Sequence, residues 1–393
     1  MINFGHNSHY VINNRVFNNK TLALLYANEN HISSNDIVWK FHDSEFNSID
    51  WTIEPSLSIN EFYKQRALSI RQKYDYVILM CSGGPDSTNM AYSFLRNNIH
   101  VDEIVAAAPM SGLSNWTNDP NDQKTENTIS ETKLAQIPFV NEIHELYPHI
   151  KITITDYFED MLSYKDSDWL IKSTDYIHPT TVARYALEKF PHLQKLAETD
   201  KKIAVVYGID KPTIFIEKDK IYNMIVDYAV NTPTDNDFKN FYNELFYFSH
   251  EMPQLVVKQC HMLKKWLFLP ENSRALAFTK LNGQIAPTKE FNAGLYQRAI
   301  VPCIYPMIEK KIWQAGKPNY NILANMDMWF YKKHNSLRVY DMMTHNINSI
   351  INTIREDLFQ YKFYRDLDGN IIRYRSGLKL FYKKFFIGSI NEK

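Results

Sequence analysis

Residues 76–87, Tyr-Val-Ile-Leu-Met-Cys-Ser-Gly-Gly-Pro-Asp-Ser, constrain the fold more than any other stretch of this chain. An apolar run of strand length meets a glycine pair, and a helical pattern follows at once in Thr88-Asn-Met-Ala-Tyr-Ser-Phe-Leu-Arg. Gly83 and Gly84 let the backbone turn tightly and bring its N–H groups close to a ligand. The helix opening at Ser87 offers unpaired N–H groups and the positive end of its dipole, which together favour an anion. Asp86 stands beside that anion site, where a carboxylate is repelled unless a cation bridges the two. Strand, turn, acid and helix therefore read as a pyrophosphate cradle with Mg²⁺.

The pattern is not a Walker A loop, which needs G-x-x-x-x-G-K-[ST]. Ser82-Gly83-Gly84-Pro85-Asp86-Ser87 instead resembles Ser-Gly-Gly-x-Asp-Ser, the PP-loop of the N-type ATP pyrophosphatases, with Pro85 at the variable position. That superfamily includes asparagine, GMP and argininosuccinate synthetases and tRNA-thiolating enzymes. The resemblance implies ATP and Mg²⁺ as cofactors, with Ser82, Gly83, Gly84, Asp86 and Ser87 at the phosphates and Asp86 on the metal.

The order of elements fits a sheet of that kind. Strand 76–81 is followed by helix 87–97, strand Val101–Ala108, helix 129–147 with Pro138 as a kink or break, and strand Ile150–Thr155. A polar stretch and helix 179–198 then lead to strand Lys202–Tyr207. Such alternation predicts a parallel sheet with helices on both faces, and ligands bind beyond the carboxyl ends of its strands. The expected fold is α/β, with a parallel-sheet core of adenine nucleotide alpha hydrolase-like (HUP/PP-loop) type. It divides into an N-terminal α+β extension over 1–73, the pyrophosphatase domain over 74–230, and a mainly helical, aromatic-rich region over 231–393. Before the core, Tyr10-Val-Ile, Thr21–Ala27 and Asp36–Phe41 are apolar runs, and Ser58 is an N-cap candidate with Glu61 completing a capping box. After it, apolar spacing predicts helices over Phe238–His250, Gln254–Leu269 and Asn335–Phe359, and Asp368-Gly369 marks a hairpin turn.

A second element is Val206-Tyr-Gly-Ile-Asp-Lys-Pro, at the end of the fourth core strand. Gly208 and Asp210 resemble the turn on which asparagine synthetases hold Mg²⁺–pyrophosphate, which makes Asp210 a second expected metal ligand. The match is partial, because Lys211 stands where the family often has a second acid. Lys211 is expected either to bind phosphate directly or to mark a different metal arrangement, and it joins Asp86 as a catalytic candidate. By the same resemblance, backbone groups around Ala107, Ala108 and Met110 read the adenine edge. Weaker candidates are Thr174, Asp175 and His178, the rim acids Asp156 and Glu159, and Trp116 in a long polar loop. The basic residues Lys258, Lys264, Lys265, Arg274 and Lys289 read first as solvated helix faces.

Composition narrows the setting. At 45% hydrophobic and 22% charged residues the chain has the make-up of a soluble globular protein. Lys and Arg balance Asp and Glu at 44 each, so no global field draws it to nucleic acid or membrane. Cys81, Cys260 and Cys303 form no metal or redox motif, and a reducing cytoplasm (a host's, if the gene is viral) is the expected compartment. No apolar stretch reaches the roughly 18 residues of a membrane span, so no membrane partner is expected. The tail from Arg373 to Phe386 interleaves basic and aromatic residues. That suits nucleic acid, and equally a strand or helix with its aromatics in the core, which is the preferred reading.

The resemblance implies cleavage between the α- and β-phosphates of ATP and adenylation of a carboxylate or amide-type oxygen, followed by substitution with ammonia or an amine. Residue 2 is Ile rather than the nucleophilic cysteine of a class II glutaminase, so free ammonia or a preformed amine is the expected donor. The partner expected is thus a small molecule with an activatable oxygen. The alternatives are a PP-loop enzyme acting on a nucleobase or tRNA, thiolation included, and a non-catalytic ATP-binding protein.

Overall fold

The computed structural model describes residues 8–108, 110, 132–156, 187, 190–209, 211–227, 238–273, 276, 303–308, 354–365, 371–378 and 380–391. At its centre is a five-stranded, all-parallel sheet built from β4 (Tyr76–Met80), β5 (Glu103–Ala108), β6 (Lys151–Asp156), β7 (Ile203–Tyr207) and β10 (Phe241–Leu245). The order across it is β10-β7-β4-β5-β6. Taken in chain order this is the 3-2-1-4-5 arrangement of a Rossmann-like core, with its reversal between β4 and β7. Connections on either side of a reversal leave toward opposite faces, which opens a crevice at the carboxyl ends of those two strands.

The central strands form because they are apolar on both faces. All five residues of β7 are buried, as are Val77 to Met80 of β4. Each fully buried Val or Ile there stabilises the fold by roughly 1.5–3 kcal/mol over its exposed state. Over the described residues of this segment, the expected strands and the helix after β4 coincide closely with those observed. α4 spans Pro85–Leu95, and the segment before β6 is a π-helical turn over Thr132–Gln136 continued by α5, Ile137–Leu146. Pro138 stands in the first turn of α5, where its missing N–H costs nothing. Of the expected helix 179–198, residues 179–186, 188 and 189 lie outside the described residues, and 190–198 carry the short α6, Pro191–Ala197.

In the N-terminal segment, β1 (Ser8–Ile12) pairs antiparallel with both β2 (Arg15–Phe17) and β3 (Val38–Phe41), beside α1 (Lys20–Glu29) and the short α2 (Asp43–Asn47). α3, Ile59–Lys73, is capped by the Ser58 hydroxyl, which accepts the Glu61 N–H at 3.2 Å. The Glu61 carboxylate accepts from Gln65 one turn on. Arg66 of α3 is fully buried and donates to Glu244 (2.6 Å) and to the Leu245 carbonyl (3.0 Å), which locks the helix to β10.

The C-terminal region, expected to be mainly helical, carries one α-helix and four strands among its described residues, with 277–302 and 309–353 outside them. α7, Gln254–Leu267, is the helix expected at 254–269, but Phe238–His250 supplies β10, the outer strand of the central sheet. Strands of a parallel sheet are covered on both faces and lose their alternation, so the run Phe241-Tyr-Asn-Glu-Leu-Phe-Tyr-Phe has no period to separate it from a helix. Of the helix expected over Asn335–Phe359, residues 335–353 lie outside the described residues. The described end is a 3₁₀ turn, Glu356–Leu358, running into β11, Phe359–Arg365. β11 pairs antiparallel with β12, Ile371–Gly377, on either side of the expected turn at 368–369, which is itself outside the described residues.

A fourth sheet joins β8 (Thr213–Glu217), β9 (Lys220–Val226) and β13 (Phe381–Ser389). Lys218 and Asp219, both at positive φ, make the tight turn between β8 and β9. In β13 the tail's Phe385 and Ile387 are buried while Lys383 and Lys384 are exposed, and the Phe385 ring stacks on Trp51 at 4.1 Å. Lys20 and Asp227 form a buried ion pair at 2.7 Å between α1 and the end of β9. One buried cluster runs from Tyr10 to Ile387 and includes residues of all three segments.

Candidate functional site

The loop after β4 is closed by its own serines. The Ser87 hydroxyl accepts the Ser82 N–H (3.2 Å) and donates to the Gly84 carbonyl (3.1 Å), while the Ser82 hydroxyl accepts the Gly84 N–H (3.3 Å). Gly84 is the N-cap of α4, and the Thr88 N–H makes the first helical bond to its carbonyl. Pro85 has no N–H to leave unpaired in this first turn. The N–H groups of Asp86 and Ser87 belong to the helix start, where no residue one turn earlier accepts them. They point the positive end of the dipole into the crevice.

Two glycines exist here for close approach. Gly83 has a φ of +72°, and a Cβ on it would lie 2.5 Å from Gln136 Cα. The π-helical turn therefore rests directly on the loop. From that turn the Gln136 amide donates to the carbonyls of Cys81 (3.1 Å) and Ala107 (3.0 Å), bridging the ends of β4 and β5. Gly208 follows β7, and a Cβ there would lie 2.8 Å from the Asp86 carbonyl oxygen. The turn after β7 thus packs against the first turn of α4.

That packing brings Lys211 to Asp86. Lys211 Nζ lies 2.6 Å from Asp86 Oδ2, with 9% of the lysine side chain and 24% of the aspartate's exposed. The Tyr305 hydroxyl donates to Asp86 Oδ1, and the Tyr247 hydroxyl donates to the Asp86 carbonyl at 2.7 Å. Behind them, the Asn89 amide donates to Tyr247 (3.0 Å) and the Gln259 amide to Tyr63 (3.0 Å), whose hydroxyl donates to the Ile304 carbonyl. Burial, and secondarily the negative charge of Asp86 and neighbouring phenols, pushes the Tyr63, Tyr247 and Tyr305 hydroxyls far up. All three stay protonated and act as donors.

Of the residues expected at the adenine, Ala107 and Ala108 end β5 and Met110 lies just past it. Met110 lines a small pocket with Ala106, Gln136, Ile137, Val140 and Ile154. The pocket is apolar apart from Gln136 and Asn141, and adjoins the loop through Gln136. Ser82, Gly83, Gly84, Asp86, Ser87, Gly208 and Lys211 are therefore gathered at one point of the fold, the reversal of strand order. Asp210 lies outside the described residues, as do Thr174, Asp175, His178, Glu159, Trp116, Arg274 and Lys289. Lys258 and Lys265 are tied to Glu54 at 2.9 and 2.6 Å and belong to the packing of α7 on the N-terminal segment.

Tyr247, Tyr305 and Gln136 carry no motif and escape a reading of the sequence. Tyr247 becomes legible only once 241–245 is taken as a strand, because its extension then falls at the carboxyl edge of the sheet. For Tyr305 and Gln136 no local signal exists.

Mg²⁺, which the resemblance implies, seeks near-octahedral oxygen ligands at about 2.0–2.1 Å. Asp86 does not fit that role in this arrangement, because one carboxylate oxygen accepts from an ammonium and the other from a phenol. Among the described residues no group of three or more His, Cys, Asp or Glu side chains is placed to hold a metal. Among them, too, no helix is long and apolar enough to cross a membrane. No protein-family model matches the chain, and no curated protein is significantly similar to it.

Proposed function

We propose that this protein is an ATP-dependent ligase that releases AMP and pyrophosphate. One observation carries the reading: the Ser82–Ser87 loop and the Gly208–Lys211 turn meet at the reversal of strand order, across a 2.6 Å ion pair. A phosphate chain laid there meets the N–H groups opening α4 and the Lys211 ammonium. The pocket beside Met110 and Gln136 lies one strand over and adjoins the loop through Gln136, and it would take the nucleoside end of the same ligand.

In the first step an acceptor carboxylate or amide oxygen attacks the α-phosphorus in line. The new O–P bond forms as the α–β bridging bond breaks, and its electron pair leaves with pyrophosphate. Positive groups fixed beside the β-phosphate stabilise the charge that develops on this leaving group. In the second step ammonia or an amine attacks the activated carbon. The carbon–oxygen bond to AMP then breaks, AMP departs, and the proton shed by nitrogen passes to solvent.

The thiols support an oxygen-to-nitrogen exchange over thiolation by the chain's own cysteines. Burial pushes the Cys303 thiol up to about 12, and pushes the Cys81 and Cys260 thiols well above the ordinary range too. None is a thiolate near neutral pH.

The test is release of AMP and pyrophosphate from ATP with a panel of carboxylate, amide and ureido acceptors, then with the Asp86→Ala variant. Turnover is expected to fall at least a hundredfold in the variant, because Lys211 loses the carboxylate that holds its charge in place. Unchanged AMP release from Asp86→Ala would sink the mechanism.

A further inference from the structure

The Asp86–Lys211 pair raises a question of its own. A bare carboxylate in the first turn of α4 opposes any phosphate bound there. Something positive must offset it, and in this fold a side chain already does. Lys211 Nζ sits on Asp86 Oδ2 at 2.6 Å, and the two charges sum to zero. The field of the helix start is then left to act on a ligand.

Resting on the nucleotide-site reading above, we propose that Lys211 is the cation that receives the pyrophosphate portion of the nucleotide. In this arrangement Asp86 is a positioning residue for Lys211 and not the ligand of a protein-bound metal. Three observations carry this. First, both carboxylate oxygens of Asp86 are engaged, by Lys211 and by the Tyr305 hydroxyl. A dication approaching Oδ2 must displace an ammonium that both occupies the place and repels it. Second, the pair is held from behind as well as in front. Tyr247 fixes the Asp86 backbone, and the bare Cα of Gly208 lets the turn carrying Lys211 come within contact of it. Third, the pair is partly open. The Asp86 side chain is 24% exposed and that of Lys211 9%, so the pair stands at the margin of the packed interior, at the carboxyl end of the sheet.

The consequence is that the protein binds pyrophosphate without a divalent cation, with Lys211 in the place of the metal. The experiment is calorimetric titration of the full chain with inorganic pyrophosphate, in EDTA and in excess Mg²⁺, for wild type, Lys211→Met, Lys211→Arg and Asp86→Asn. Wild type is expected to bind in EDTA within about threefold of its affinity in Mg²⁺. Lys211→Met should weaken binding in EDTA by tenfold or more, the loss of one charge-assisted hydrogen bond. Lys211→Arg should recover most of it, which a merely structural role would not produce. Asp86→Asn should stay within a few-fold of wild type, since it keeps an acceptor for the lysine and removes a charge the anion dislikes.

Binding by wild type that needs Mg²⁺ by tenfold or more, with Lys211→Met unimpaired and Asp86→Asn abolished, overturns the inference and leaves the nucleotide site standing. Failure of wild type to bind pyrophosphate or ATP under either condition removes the nucleotide site and the inference together.

Discussion

The central sheet carries two carboxylates in closely similar company, one at each end. Asp86, beyond the carboxyl end of β4, accepts from Tyr305 and pairs with Lys211. Glu103, at the amino end of β5, accepts from Tyr76 (2.9 Å) and Thr153 (2.5 Å), and His192 Nε2 lies 2.9 and 3.1 Å from its two oxygens. A phenol and a basic side chain serve both acids, yet the settings differ. The Glu103 side chain is wholly buried, and its partners come from β4, β6 and α6, the elements it has to hold together. Asp86 is partly exposed, stands in the first turn of a helix, and draws its partners from a turn and from residue 305. Residue type alone would assign the two acids the same role. Position in a parallel sheet separates them, because helix starts and diverging loops gather at the carboxyl ends.

Glu103→Ala tests the structural role assigned to the amino end of the sheet. The change leaves the Tyr76, Thr153 and His192 donors without their shared acceptor and should cost about 3 kcal/mol of stability. Urea denaturation measures it, and pyrophosphate affinity of the folded fraction should not change. A variant that kept its stability but lost pyrophosphate would erase the distinction between the two ends.

Glu244, on β10, extends the structural class to a third acid and gives it a pH signature. Burial alone raises its pKa, but the Arg66 charge, the Tyr74 hydroxyl and Lys73 outweigh that and hold it at about 2, against an ordinary 4.5. A depressed carboxylate stabilises the fold above its unfolded pKa, and that stabilisation is lost as pH falls through the folded value. Between about pH 4.5 and 2 the protein should therefore lose roughly 3 kcal/mol through this group. Urea midpoints across that window should fall steeply in wild type and visibly less in Glu244→Gln. Equal slopes would show that Glu244 is not the group responsible.

The smallest expected effect sharpens the other end. Tyr305→Phe removes one hydroxyl from Asp86 and leaves the ring in place. It should slow AMP release about fivefold, equivalent to roughly 1 kcal/mol, with a smaller change in stability. A larger loss of stability than of turnover would move Tyr305 into the same class as the partners of Glu103.

How far the sequence was legible follows the range of the interactions. β4, α4, β5, β6 and β7 could be read because each announces itself within a dozen residues, by an apolar run, a cap or a turn residue. β10 could not, because a strand covered on both faces looks like a buried helix until its neighbours are known. Lys211 drew notice as a departure from an acidic pattern, but its partner was beyond inference. No local rule sets residue 211 against residue 86, or Tyr305 against the same carboxylate 219 positions away.

Short-range sterics and backbone hydrogen bonding fix the strand, glycine turn and helix start over residues 76–95, and these were legible in the sequence alone. What the carboxylate inside that loop faces was decided only by the tertiary structure. The reversal of strand order lays the end of β7 against α4, and Gly208 allows the contact that delivers an ammonium to Asp86. Charges act through space and not along the chain, so their pairing waits on the packing that brings them together.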